Sequence, residues 1–224
     1  MRKISGVVLI LLVNVINSNA QDTTKASTDG QVFQAGNTVV DVGVGLAYYY
    51  KTLSRVEVKT GANVARTDKS GTISALMIPI QVEHGFRNWF GFGGRFAYSN
   101  YMDTTKSNTG MDLDLLLNFH LIKKGRFEMP FALFFGVSSI TIKYKDAVNT
   151  IAKDNGVNNG FMITPRFYFS KHFGLFVNMG FVNYGYPTVG YTNSANTSTV
   201  NTATTTVSIG GNGTALGFGA IYKF

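Results

Sequence analysis

The sequence predicts an all-β protein: an eight-stranded antiparallel up-and-down transmembrane β-barrel. Three observations lead there. Residues 214–224 alternate strictly, with Leu216, Phe218, Ala220, Tyr222 and Phe224 on one face and Ala215, Gly217, Gly219, Ile221 and Lys223 on the other. A period of two is the strand period. Eight stretches of this kind occur, and the connections between them run long, short, long, short, long, short, long. Aromatic residues gather at both ends of the stretches, as they do where strands meet the two surfaces of a bilayer.

The chain of 224 residues starts Met1-Arg2-Lys3, continues apolar, and reaches small residues at Ala20. A basic start, a short apolar run and a small residue before the cut predict a secretory signal peptide over 1–20. Residues 21–36 are polar and read as a flexible periplasmic leader, and 37–224 as the barrel domain. Past the signal no apolar run approaches the about 20 residues of a spanning helix. A membrane span must then be a closed barrel, because lipid satisfies no backbone polar group. Cysteine is absent, which excludes disulfides, thiolate catalysis and Cys-zinc sites. The net charge of +8 is dispersed rather than clustered among aromatics, so nucleic acid is not an expected partner.

The elements follow in order. The first strand sets Val40, Val42, Val44, Leu46 and Tyr48 against Asp41, Gly43, Gly45 and Ala47, and a long polar loop is expected over 51–71. The second, about 73–86, sets Leu76, Ile78, Ile80 and Val82 against Met77, Pro79, Gln81 and Glu83. Pro79 donates no ladder hydrogen bond, so a bulge is expected there. A tight turn at Arg87-Asn88 leads to the third, with Phe92, Phe96 and Tyr98 facing opposite to Arg95. The fourth, in 112–121, is the clearest: Leu113, Leu115, Leu117 and Phe119 against Asp112, Asp114, Asn118 and His120. After the basic turn 123–126 comes the fifth strand, about 127–144, and then a loop over 145–159. The sixth, 160–170, opposes Phe161, Ile163, Phe167 and Phe169 to Arg166 and Tyr168. The seventh covers 173–186. Thr/Asn/Ser/Gly-rich residues 187–213 read as a long solvated loop, with extended strand arms left open.

Phe86, Trp89, Phe90, Phe127, Phe173 and Phe224 would form the short-turn girdle, and Tyr48, Tyr49, Tyr101, Tyr144, Tyr184 and Tyr186 the long-loop girdle. Turning each strand over gives the lumen: Asp41, Gln81, Glu83, Arg95, Asp112, Asp114, Asn118, His120, Arg166, Tyr168, Asn178 and Lys223. Eight staves enclose just enough room for side chains. Mixed charges there are expected to pair as a plug, since unpaired burial costs several kcal/mol. Lys223 with Asp41, and Glu83 with Arg95, are the expected pairs.

No catalytic residue, metal site or cofactor is expected. His84, His120 and His172 all fall near short turns and read as turn or interface residues. No Ser/His/Asp spacing, metal-ligand His pair or Gly-rich phosphate loop leading into a helix occurs.

With the signal peptide, the alternating strands and the final Tyr222-Lys223-Phe224, the chain resembles the small outer-membrane β-barrel proteins of Gram-negative bacteria. It is nearest the eight-stranded OmpA/OmpX-like type, with loops like those of Bacteroidetes members. The resemblance covers 37–224 and implies a cell outer-membrane address with both termini periplasmic. It implies outer-membrane lipid as the surroundings and recognition by the barrel-assembly machinery. Leu216, Phe218, Tyr222 and Phe224 match the family's assembly signal. The implied role is structural or surface-interacting, through four long loops whose extracellular ligand is unspecified. The alternative is a small porin-like channel, and a third reading is a lipid-modifying enzyme.

Overall fold

The computed structural model describes residues 32–60, 63–102, 106–144, 151–186, 190–192 and 203–224. The expected signal peptide, most of the expected leader and parts of the expected long loops lie outside them. The described strands are β1 (Thr38–Thr60), β2 (Asn63–Arg87), β3 (Phe90–Met102), β4 (Lys106–Lys124), β5 (Phe127–Tyr144), β6 (Ile151–Ile163), β7 (Arg166–Tyr168), β8 (Phe173–Tyr186), β9 (Gly190–Thr192) and β10 (Ala203–Lys223).

All pairings are antiparallel. Neighbours in sequence pair from β1 to β5, β5 pairs with β6 and β7, both of these pair with β8, and β8 pairs with β10. β10 then pairs with β1, with Val40 opposite Tyr222, and the ring closes. β6 and β7 form one stave: Ile163 opposes Met179 and Arg166 opposes Phe176, with no change of register across the gap. The gap is at Pro165, which lacks an N–H. Thr164 and Val177 keep the connection by donating to the Pro130 and Pro165 carbonyls. The ring therefore has eight staves.

Alternation sets the two faces. Outward residues such as Val44, Leu46, Leu113, Leu115, Phe135 and Phe218 are apolar and exposed, Phe218 to 64%. Such a belt is ruinous in water and natural in lipid. Gly125, with φ of 59°, makes the tight β4–β5 turn in a conformation that only glycine adopts freely.

Several strands run further than alternation alone indicates. β1 and β2 pair out to Thr60 opposite Asn63, through most of the expected 51–71 loop. β6 begins at Ile151 rather than 160, and β9 and the first part of β10 occupy the expected 187–213 loop. Beyond the bilayer the ladder is held by backbone hydrogen bonds and needs no apolar face, so hydrophobic periodicity is silent there. Pro79 makes no bulge. It stays opposite Ala97, and the β1–β2 register is the same before and after it. The irregularities fall instead after Tyr49 in β1, at Gly85/Arg87 and at His120/Ile122.

Candidate functional site: the filled lumen

The inward face is built in layers. At the short-turn end the Arg166 guanidinium crosses the lumen from β7. Its Nη2 donates to Asp41 Oδ2 at 2.7 Å, and its Nη1 to Glu83 Oε2 at 2.9 Å and Glu128 Oε1 at 3.1 Å. His120 bridges two of these carboxylates, with Nε2 2.7 Å from Glu83 Oε1 and Nδ1 3.7 Å from Glu128 Oε2. The Tyr168 hydroxyl donates to Glu128 at 3.0 Å. Gly91, on the neighbouring strand, leaves the space that the Glu83 carboxylate fills; a Cβ there would collide with it.

A strap seals this layer. Residues 32–36 fold into the barrel mouth, and Phe33 is fully buried. Its ring stacks on His120 with centroids 3.7 Å apart, and its N–H donates to Glu128 Oε2 at 2.9 Å. Lys123 Nζ donates to the Phe33 carbonyl at 3.1 Å and also to the Asn88 carbonyl. Lys223 Nζ donates to the Val32 carbonyl at 3.2 Å and lies 5.0 Å over the Tyr168 ring.

Higher up, Arg95 Nε sits 3.1 Å from Asp114 Oδ2, its Nη2 3.9 Å from Asp112 Oδ2, and its guanidinium 4.7 Å over the Phe134 ring. Asp112 accepts from the Tyr184 hydroxyl at 2.8 Å and from Ser138. Above that, Tyr49, Tyr101, Tyr184 and Tyr186 are buried with Ile140 and Ile142 in one cluster. Tyr49 packs on Tyr101 and Tyr184 at 5.8 and 5.5 Å, and Tyr184 stacks on Tyr186 at 6.2 Å.

Of the residues read from sequence, Asp41, Glu83, His120 and Arg166 come together in the lower layer, and Arg95, Asp112 and Asp114 in the upper. Lys223 meets the strap, not Asp41, whose partner is Arg166. Glu83 likewise goes to Arg166 and His120, while Arg95 goes to β4. In the ladder Lys223 opposes Val39 and Arg95 opposes Gln81. Staves tilted by about 35–45° put many same-height neighbours off the ladder rung. Yet Arg95 and Asp114 meet on one rung of the β3–β4 hairpin, as do Asp112 and Ser138 of β4 and β5, so Arg95 pairs across the next hairpin rather than the expected one. His120 sits buried in the lumen, on the face where the alternation of the fourth strand puts it, and not in a turn. Four tyrosines of the expected outer girdle, Tyr49, Tyr101, Tyr184 and Tyr186, point inward; Tyr48, Tyr50 and Tyr98 face out. Parity carries that signal, because Tyr101 shares its face with Arg95, and Tyr184 and Tyr186 oppose outward Phe173, Leu175 and Val177.

The sequence reading omitted Glu128, Lys123 and Phe33. Glu128 is inward by parity with Phe134. Phe33 carries no periodic signal and stands only as an apolar residue in a polar stretch. Leu216, Phe218 and Phe224 face outward, and Tyr222 packs edge-on against Phe173 and Phe224 at 4.9 and 4.5 Å. Among the described residues no group of three or more His, Cys, Asp or Glu is placed to hold a metal ion.

Neither a family model nor a curated relative matches the chain. Solved structures do. The outer membrane protein OprG from Pseudomonas aeruginosa superposes with a TM-score of 0.58 at 13% identity, over 87% of this chain and 98% of that one. The outer-membrane protein AlkL gives 0.47 at 10% identity, over 91% and 96%. The outer membrane protease OmpT from Escherichia coli gives 0.46 at 9%, over 88% and 100%. The likeness to OprG shows the fold: this chain is built as a small outer-membrane-type transmembrane β-barrel.

Proposed function

We propose that the chain is an integral outer-membrane barrel with both termini on the periplasmic side and a closed lumen. Its role is non-enzymatic, structural or surface-interacting, and is carried by the strand arms and loops at the long-loop end. Leu216, Phe218, Tyr222 and Phe224 serve as the recognition strand for barrel assembly. The observation that carries the closed-lumen reading is the filling at two separate levels. The strap with the Arg166 cluster occupies one end, and the tyrosine–isoleucine cluster the other. His120 supports the non-enzymatic reading: it is covered by Phe33 and held between two carboxylates, out of reach of any substrate. The test is recording from the purified protein in planar bilayers. The expected trace is silent, and steady openings would overturn the plug.

A second reading, a narrow path for water or ions, is favoured by one feature. The Ser99 hydroxyl and the Gln81 side-chain nitrogen are buried without a hydrogen-bond partner. Beside Arg95 lies a cavity of about 30 Å³ lined by Met77, Phe134, Met162 and Asn178, enough for water. The same recordings decide between the two.

A further inference from the structure

The tight turns at the short-turn end share a composition that the lumen does not explain. Arg87 follows outward Phe86 in the β2–β3 turn. Lys124 and Arg126 flank Gly125 and precede outward Phe127 in the β4–β5 turn. Lys171 lies between outward Phe169 and Phe173 in the β7–β8 turn. All four cations are exposed. The carboxylates described at this end, Asp41, Glu83 and Glu128, are all buried in the lumen. The rim thus presents cations with no exposed Asp or Glu side chain among the described residues. The other end differs: there Arg55 opposes Asp68 and Glu57 opposes Arg66 in the ladder, so the signs alternate.

We infer that this rim is a docking surface for the phosphate headgroups of anionic phospholipids. The inference rests on the membrane-barrel reading, in which the short turns face the periplasmic leaflet, the one built of phospholipids. Depth and charge both fit. Aromatic side chains mark the level of the bilayer interface. Each cation stands within three residues of one of them, at headgroup depth. Arginine grips a phosphodiester through paired N–H donors and lysine acts as a point charge, so Arg87 and Arg126 fix orientation while Lys124 and Lys171 add attraction. Anionic lipid would form a preferred ring of neighbours around the short-turn end and be indifferent to the other.

Trp89 supplies the readout. It is the one tryptophan of the sequence, it faces outward, and it sits two residues from Arg87. The folded protein is placed in phosphatidylcholine vesicles containing a small share of brominated phosphatidylglycerol or of brominated phosphatidylcholine, and quenching of Trp89 is compared. Brominated phosphatidylglycerol should show an apparent affinity about fivefold higher, the factor one basic residue gains at an anionic surface. The preference should vanish at about 1 M salt, where charges are screened beyond about 3 Å. It should also vanish in a variant carrying Arg87→Gln, Lys124→Gln, Arg126→Gln and Lys171→Gln. Equal quenching by the two lipids overturns the inference and leaves the barrel reading standing. A preference that survives in the quadruple variant overturns the assignment to these turns. Absence of quenching by either lipid removes Trp89 from the bilayer, and with it the membrane reading itself.

Discussion

Arg166 lies within 3.1 Å of carboxylates from three different staves, β1, β2 and β5. Replacing it, as in Arg166→Met, leaves Asp41, Glu83 and Glu128 facing one another in a closed space. The expected cost is about 3–5 kcal/mol, the range for a buried charge stripped of its partner. Urea unfolding in detergent micelles measures it, and a loss under about 1 kcal/mol would mean that water screens the cluster. At this scale the sequence was half legible. Parity alone puts Asp41, Glu83, Arg95, Asp112, Asp114, His120 and Arg166 inside, because each shares its strand with an apolar outer face. Partners on one rung were within reach of the sequence, as Arg95 with Asp114 and Glu128 with Arg166; the others were not. They depend on how far side chains reach across a tilted ring, and Arg166 meets two carboxylates on the far wall that no hairpin brings to it.

A single stave carries two codes: apolar side chains toward lipid and polar ones toward the lumen. β4 shows this most plainly, so it is the place to challenge it. Leu115→Arg, in the middle of the outer belt, should destabilise the barrel by about 2–4 kcal/mol, measured by the same unfolding. Little change would mean that this face does not meet lipid. The code also explains which boundaries the sequence hid. Where a stave leaves lipid the ladder no longer needs an apolar face, and β1 stays paired to β10 and β2 through the charge-bearing stretch from Lys51 to Lys59. The irregularity after Tyr49 shifts the register of β1 against both neighbours. Alternation counted through that point changes sense, which is why a strand of 23 residues reads as a strand and a loop.

On the closed-lumen reading proposed above, the whole molecule is a ring stoppered twice. The two stoppers have different chemistry, ionic at the short-turn end and aromatic at the long-loop end, and no residue belongs to both. Opening one should therefore leave the other shut. Phe33→Ala, which empties a fully buried site and should cost about 3 kcal/mol, is expected to leave bilayer recordings silent. Tyr184→Ala alone should do the same. A leak from either single variant would show that the two closures are not independent. The ring itself was legible from strand count and loop lengths. The double stopper was not, because the strap gives no periodic signal and the inward tyrosines resemble a girdle until parity is applied.

The strap has a consequence for the order in which the protein is made. The Val32 carbonyl is held by Lys223, 191 positions later in the chain, and Phe33 by groups of β4 and β5. The Lys223 hold on Val32 exists only once β10 has zipped to β1, whereas the groups that hold Phe33 come with β4 and β5. The residues synthesised ahead of the barrel therefore wait for strands made after them, and Val32 takes its last contact when the circle closes.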